Sequence, residues 1–160
     1  MKIIVISDTH IPRAANDLPE ELYKAIRRAD LVLHAGDYAE IEVLEKIRAI
    51  KNAVDVFGNM DSRGLRNILK PKEVVSVGKF KIGLIHGYGA PAELMNTVRG
   101  EFGKVDAIVF GHSHTPVNTV EDGILFFNPG SPTDRVFSAY NSYGILTVTD
   151  KGIKGEIVKL

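Results

Sequence analysis

The 160-residue sequence contains no cysteine and no tryptophan, has no excess of either charge, and has no long apolar run. Without cysteine there is no disulfide, thiolate ligand or thiol nucleophile, so any metal must be held by oxygen and nitrogen atoms. The 20 basic residues balance the 20 acidic ones, which argues against nucleic acid or an anionic lipid surface as a partner. The apolar run at residues 1–6 is too short for a signal-peptide core or a membrane span. We therefore expect a cytoplasmic protein with no membrane partner.

The length of the chain is that of one ordinary domain, so we expect a single domain over residues 1–160. In the first half, apolar stretches alternate with amphipathic ones, which predicts strands over 2–7, 31–34 and 53–57 and helices over about 19–29 and 41–49. Residues 62–72 lack periodicity and are predicted to form a loop. The second half predicts a helix over 91–102, a strand over 107–110, and hairpins over 73–85, 118–127 and 142–159. This pattern predicts an α/β fold, a four-layer sandwich of two mixed β-sheets flanked by helices.

Polar residues directly follow the first predicted strand. Asp8 and His10 stand at its carboxyl end, where open α/β sheets bind their ligands. Because they are two residues apart on an extended backbone, their side chains point to the same side. A carboxylate and an imidazole in this arrangement form half of a metal site.

The same arrangement, an apolar strand followed by a small residue and then Asp, His or Asn, occurs at five strand ends. It supplies two carboxylates, one amide oxygen and four imidazoles, from Asp8, His10, Asp37, Asn59, His86, His112 and His114. Taken singly, an Asp after a strand is more often a cap, and a lone His is as often a core residue. As an ordered set they favour a metal such as Mn, Fe, Zn, Co or Ni. Seven ligands suit two ions that share a carboxylate, and two-metal sites promote displacement at phosphorus.

Five motifs in this order resemble those of the calcineurin-like metallophosphoesterase superfamily: Asp8-Thr9-His10, Gly36-Asp37, Gly58-Asn59-Met60-Asp61, His86-Gly87 and Gly111-His112-Ser113-His114. The small size is similar to that of the compact bacterial and archaeal phosphodiesterases, a branch that includes the retromer subunit Vps29. The resemblance extends from residue 7 to about residue 131. It implies the same four-layer sandwich and a binuclear metal-dependent phosphodiesterase that hydrolyses a small phosphodiester.

The resemblance also implies a role for each ligand. One metal would be held by Asp8, His10 and His114, and the other by Asn59, His86 and His112. Asp37 would bridge the two ions, with a hydroxide between them as the nucleophile. Mn²⁺ is our first choice for the metal, and Ni²⁺, Zn²⁺, Fe²⁺ or Co²⁺ stay open.

Met60 departs from the family pattern. Many members carry His at this position, where it is thought to protonate the leaving alkoxide, and a thioether has no proton to donate. General acid catalysis contributes about 100- to 10,000-fold in rate, so we expect a preference for leaving groups that depart unaided. Asp61 is a candidate to orient Asn59 or a water, and His34 is a candidate donor, although a core role is commoner for a histidine within a strand.

Three further candidates lie on loops. The guanidinium of Arg13 could bind a substrate phosphate in a bidentate manner. Ser131 is a candidate substrate contact, and Arg135 lies on the same loop. The run Asn128-Pro129-Gly130-Ser131 also has an evident role as a turn, which we favour slightly.

Two other functions stay open at this point. One is a non-catalytic, Vps29-like scaffold that binds proteins through an exposed apolar patch. The other is a phosphomonoesterase, which differs only in the shape of the pocket and in the groups that recognise a terminal phosphate. The complete ligand set favours the enzyme, and Met60 favours the scaffold. The sequence does not decide whether the protein forms a homo-oligomer.

Overall fold

The computed structural model describes residues 1–134 and 136–160. Its strands are β1 (Lys2–Ile6), β2 (Leu31–His34), β3 (Ala53–Asp55), β4 (Lys72–Val77), β5 (Phe80–Ile85), β6 (Ala107–Val109), β7 (Val117–Glu121), β8 (Ile124–Asn128), β9 (Ser142–Thr149) and β10 (Gly152–Lys159). Its α-helices are α1 (Glu20–Arg27), α2 (Ile41–Ile50), α3 (Arg63–Ile68) and α4 (Leu94–Gly100). Among these helices, none combines the length and the apolar character that crossing a membrane requires.

The strands form two mixed sheets of five strands each. The first sheet has the order β10-β9-β1-β2-β3, in which β1, β2 and β3 are parallel. The second has the order β4-β5-β6-β8-β7, in which β5, β6 and β8 are parallel. The remaining hairpin strands β4, β7, β9 and β10 each run antiparallel to the strands they pair with. The carboxyl ends of the parallel strands therefore collect at one edge of each sheet.

The side chains of β1 show how the layers are built. Ile4 and Ile6 pack against α1 and α2, whereas Ile3 and Val5 lie between the two sheets. Successive side chains of a strand point to opposite faces, so a continuous apolar run of this kind is buried on both sides. A third cluster packs α4 against the outer face of the second sheet. The predicted four-layer sandwich is confirmed.

The segment 62–72 differs from its prediction as a loop, because it contains the short helix α3. Of this helix only Leu65 is buried, so it offers one apolar contact rather than a periodic stripe. The predicted helix over 91–102 is also shorter, since a 3-10 turn over Pro91–Glu93 precedes α4.

Candidate metal centre

The seven candidate ligands all follow parallel strands. Asp8 and His10 follow β1, Asp37 follows β2, and Asn59 lies on the loop after β3. His86 follows β5, and two further histidines, His112 and His114, follow β6 in the second sheet. The two sheets meet here, because Gly111 N–H donates to His86 O at 3.1 Å within one sheet and His86 Nε2 lies 3.2 Å from Asp8 Oδ1 across the two. The structure thus brings all seven to one place.

One group of donor atoms consists of Asp8, His10 and His114. The Nε2 atoms of the two histidines are 3.2 Å apart, and His114 Nε2 lies 3.4 Å from Asp8 Oδ1. A second group consists of Asp8, Asp37 and His86, with His86 Nε2 lying 3.3 Å from Asp37 Oδ2. The same Asp37 oxygen is 3.6 Å from His10 Nε2, so Asp37 also reaches the first group, and Asp8 belongs to both groups.

Asn59 and His112 extend the second group toward solvent. Asn59 Oδ1 and His112 Nδ1 are 3.2 Å apart. An amide oxygen has no proton to donate, so the contact brings two acceptor atoms together when the imidazole proton is on the other nitrogen. Such a pair suits a cation that both atoms can bind.

The outward nitrogens of three histidines test whether this donor set fits a metal. His86 Nδ1 lies 3.1 Å from Gly87 O, and His112 Nε2 lies 3.0 Å from Gly89 O. His114 Nδ1 lies 2.7 Å from Asp134 Oδ2. Because each partner can only accept, each outward nitrogen carries a proton, which leaves the inward nitrogen as the atom that can bind a metal. Metal-binding histidines are oriented in this way, so the residues fit a divalent ion.

The backbone of the ligand loops is unusual. Five of the seven candidate ligands have φ in the left-handed region: Asp8 (55°), His10 (45°), Asp37 (59°), His112 (69°) and His114 (56°). This region costs a non-glycine residue about 1 to 3 kcal/mol and is found where structure serves function. It turns the chain sharply at each strand end, and so aims consecutive polar side chains into one cavity.

Two glycines permit the close approach of the loops. A Cβ on Gly58 would lie 2.1 Å from Asp37 Oδ1, and a Cβ on Gly111 would lie 2.7 Å from Asp8 Oδ2. Both distances are shorter than any van der Waals contact, so the carboxylates occupy the space that a side chain would need.

Burial and ion pairing shift the pKa values of the centre in opposite directions. Burial favours the neutral form of Asp8, but hydrogen bonds with His114 and His86 outweigh it and hold the pKa of this carboxyl well below its usual range. Burial lowers the pKa of His86, yet its bonds to Asp37 and Asp8 raise that pKa to about 10. For His114 the Asp8 and Asp134 carboxylates likewise raise the pKa to about 9. The Asp8 and Asp37 carboxylates thus stabilise positive charge on the groups that face them, as a cation site requires.

Asp61 connects the two loops that carry Asp37 and Asn59. Its carboxylate accepts backbone N–H bonds from Asp37 (3.1 Å), Ala39 (2.9 Å) and Gly58 (2.7 Å). Asp61 therefore holds the backbone of the two ligand loops. Burial raises its pKa, and the backbone donors oppose that shift.

A cavity of about 480 Å³ opens over the donor atoms. Arg13 lines it, together with Met60 and three more apolar residues, Ala14, Pro91 and Phe137. Phe137 is 76% exposed, and its ring meets that of His114 edge-on, at 5.7 Å between centroids. A smaller cavity of about 290 Å³ lies on the other side of Asn59.

Ser131 does not fit its prediction as a substrate contact. It is fully buried, and its Oγ donates to Asp8 O at 2.7 Å and accepts the N–H of Asp134 at 2.9 Å. It thus supports the backbone of a ligand, which agrees with the turn interpretation. Arg135 lies outside the described residues.

His34 is also fully buried, beneath the centre rather than in the cavity. Its ring stacks on Tyr38 at 3.5 Å, and its Nδ1 accepts the N–H of Gly36 at 3.1 Å. Burial lowers its pKa to about 3. The structure therefore gives His34 a core role and not that of a proton donor to substrate.

Two residues of the site are absent from the sequence predictions, Asp134 and Phe137. Neither follows a strand, and no spacing relates them to the ligands. The signal that does exist is weak: an Asp and an aromatic residue in the loop that already contained Ser131.

The chain is similar in sequence and in fold to known proteins. The family model described as the calcineurin-like phosphoesterase superfamily domain matches residues 1–151. A probable metallophosphoesterase of Methanocaldococcus jannaschii is 38% identical over 136 residues, which cover 83% of this chain and 69% of that protein. A Thermotoga maritima protein solved by NMR has a TM-score of 0.78 and 31% identity, with 99% of each chain covered. Vps29 of Entamoeba histolytica, in complex with Zn²⁺, has a TM-score of 0.75 and 27% identity, again with 99% of each chain covered.

Proposed function

The chain belongs to the calcineurin-like phosphoesterase superfamily, and from this we propose that it is a phosphodiesterase that uses two divalent transition-metal ions. Asp8, His10 and His114 would hold one ion, and Asn59, His86 and His112 the other, with Asp37 between them. The observation that carries this proposal is the convergence of the seven donor groups at one place beneath a cavity that five of them line, with three imidazoles already oriented by acceptors behind them.

The metal set follows from the donors. Imidazole nitrogens mixed with carboxylate and amide oxygens suit Mn²⁺, which is our first choice, and also Zn²⁺, Fe²⁺, Co²⁺ or Ni²⁺. A Vps29 of similar fold was solved in complex with Zn²⁺. When bound, such ions supply the charge that makes water nucleophilic at neutral pH and that stabilises the negative charge developing on phosphate oxygens.

The protein's own groups hold this arrangement in place. Asp37 is fixed by the N–H of Met60, which donates to its Oδ1 at 2.7 Å. Asp61 accepts the backbone N–H groups of Asp37 and Gly58 and so fixes the loops that carry Asp37 and Asn59. Arg13 at the cavity wall is placed to bind a non-bridging phosphate oxygen through its guanidinium. Preorganised groups of this kind need no rearrangement during the reaction.

The lining of the cavity favours a diester over a monoester. Apart from its histidines, Arg13 is the one cationic side chain among the described residues that line it, and Ala14, Met60, Pro91 and Phe137 are apolar. A terminal phosphate dianion would bring more negative charge and three free oxygens to this wall. A diester brings one negative charge and a second organic group, which the apolar residues can contact.

Met60 limits the choice of leaving group. The residue is 42% exposed and lies in the cavity wall, where its thioether has no proton to give to a departing oxygen. A phenolate is a stable enough anion to leave without that proton, whereas an alkoxide is not. The proposed enzyme therefore favours aryl esters over alkyl esters.

The test is hydrolysis of bis(p-nitrophenyl) phosphate by protein stripped with chelator and then titrated with Mn²⁺. The matching monoester and a dialkyl phosphate serve as comparison substrates. We expect metal-dependent diester cleavage that His114→Ala abolishes and that Glu45→Gln, an exposed change on α2, leaves intact. Folded protein that is inactive with every divalent ion would exclude the phosphodiesterase, and faster monoester cleavage would indicate a phosphomonoesterase.

Protein binding is the second candidate function, favoured by the similarity to Vps29. In that case the centre would stabilise the fold, and an exposed apolar surface would bind the partner. Full metal occupancy without hydrolysis of any ester would favour this alternative.

A further inference from the structure

Asp134 contacts the centre from behind. Its Oδ2 accepts from His114 Nδ1 at 2.7 Å, the shortest of the three contacts made by outward histidine nitrogens. The residue is only 6% exposed, so water competes little for this hydrogen bond.

The carboxylate of Asp134 is itself fixed. Its Oδ1 accepts the N–H of Val136 at 2.8 Å, and its Oδ2 accepts the N–H groups of Phe137 at 3.0 Å and Ser138 at 2.8 Å. Four donors around two oxygens leave the carboxylate little freedom to turn. The loop is joined to the same ligand a second time, because Ser138 Oγ donates to His114 O at 2.8 Å.

The two candidate metal positions differ in the acceptors that lie behind their histidines. Behind His86 and His112, both on the second position, the acceptors are neutral backbone carbonyls. Behind His114, on the first position, the acceptor is an anion. A carboxylate behind an imidazole fixes its tautomer and makes its free nitrogen a stronger electron donor.

We propose that Asp134 is a positioning residue that makes the metal position of Asp8, His10 and His114 the tighter of the two. The proposal rests on the proposed two-metal site and adds an order to it: the first ion enters beside His114, and the second enters beside Asn59.

Asp134→Asn is the informative substitution, because it keeps the size of the side chain. If the amide oxygen faces His114, the NH₂ group opposes the N–H of Val136. If the amide is turned round, the NH₂ group opposes His114 Nδ1–H and favours the tautomer that protonates Nε2, the atom that should bind the ion. Either orientation should lower the metal affinity of the position formed by Asp8, His10 and His114.

The test is isothermal titration calorimetry of chelator-stripped protein with Mn²⁺. For the native chain we expect two binding steps of different affinity. Asp134→Asn should weaken the tighter step by about 10- to 100-fold, the usual effect of losing such a partner, and leave the other step unchanged. Asn59→Ala should weaken only the other step.

Asp150→Asn is the matched control, since it makes the same change at an exposed residue in the turn between β9 and β10, away from the centre. It should preserve both steps. In the Zn²⁺-loaded protein, ¹⁵N spectra of the histidine side chains should show a protonated Nδ1 on His114, and Asp134→Asn should shift or remove that signal.

Several results would overturn the proposal. An unchanged tighter step in folded Asp134→Asn protein would do so, as would loss of affinity in Asp150→Asn as large as in Asp134→Asn. Loss of the tighter step in Asn59→Ala would reverse the order of the positions. In all these cases diester hydrolysis by the native protein could persist, which separates this proposal from the proposed function. A single Mn²⁺ step still tests the proposal, because Asp134→Asn must weaken it, and no binding at all would overturn both.

Discussion

Acid should destabilise this protein through His34, a residue that takes no part in the proposed chemistry. Burial lowers the pKa of His34 to about 3, from 6.5 for an ordinary histidine, and the nearby Asp8 carboxylate opposes this only in part. The geometry explains the resistance to protonation. Nδ1 accepts the N–H of Gly36, so a proton on Nδ1 would place two donors face to face in a dry interior.

The sign of the effect follows from the two pKa values. Between about pH 3 and pH 6.5 the unfolded chain binds a proton at this histidine and the native state does not, so the free energy of unfolding rises with pH in that range. Lowering the pH from 7.5 to 5 should remove about 2 kcal/mol of the free energy of unfolding through His34 alone.

The measurement is urea unfolding of the native chain and of His34→Asn at a series of pH values, both in chelator. The Asn oxygen can still accept the N–H of Gly36, and the lost stacking on Tyr38 lowers stability equally at every pH. His86 and His114 act in the opposite direction, since their stabilisation is complete below pH 6.5 and is lost as the pH rises toward about 10 and about 9. Both proteins share these groups, so the pH dependence of the difference between their free energies of unfolding is due to His34.

We expect the native chain to lose about 2 kcal/mol more than His34→Asn between pH 7.5 and pH 5. Parallel curves for the two proteins would show that His34 either stays unprotonated in the unfolded chain or is protonated in the native one, and the reasoning from burial would be refuted.

Three further changes test the centre. Met60→His should raise kcat/KM for a dialkyl phosphate by about 100-fold or more and change nitrophenyl diester cleavage little; an equal gain with Met60→Leu would argue against proton donation. Phe137→Ala should raise KM for the aryl diester roughly 2- to 10-fold with little change for the dialkyl ester, and an equal effect on both would contradict contact with the aryl group. Gly58→Ala, whose Cβ would meet Asp37 Oδ1, should lower the free energy of unfolding by about 1 to 3 kcal/mol in urea, whereas Gly103→Ala, with nothing near its Cβ, should not.

The fold was predictable because its signals are local and periodic. Apolar runs such as that of β1 belong to strands buried on both faces, and amphipathic stretches such as α2 belong to covering helices. The ligand residues were identifiable for a related reason. Each stands at the end of such a run, and parallel strands bring their carboxyl ends to one edge whatever the loops do.

The rest of the site depends on how loops fold against one another, which periodicity does not report. The contact of Asp134 with His114 depends on the conformation of its loop, in which three backbone N–H groups donate to the Asp134 carboxylate and hold it in place. The sequence around Ser131 predicts a turn, yet in the fold its side chain is buried and donates to Asp8 O. The helix α3 could not be foreseen either, since a single buried leucine leaves no repeating pattern.

The strained ligand backbone and the buried polar side chains around it are two parts of one arrangement. Asp8 and Asp37 have left-handed φ values, each costing about 1 to 3 kcal/mol, and such conformations persist only where neighbours enforce them. Here Ser131 donates to Asp8 O, Thr133 Oγ1 donates to Thr9 O at 2.6 Å, and Asp61 accepts the N–H of Asp37. Each of these side chains is buried. Removing one would leave its backbone partner buried without a hydrogen bond, which lowers the stability of the loop. Removing any of the three should therefore weaken metal binding before it unfolds the chain, because the ligand loops would relax toward ordinary φ values and turn their donor atoms away from the cavity.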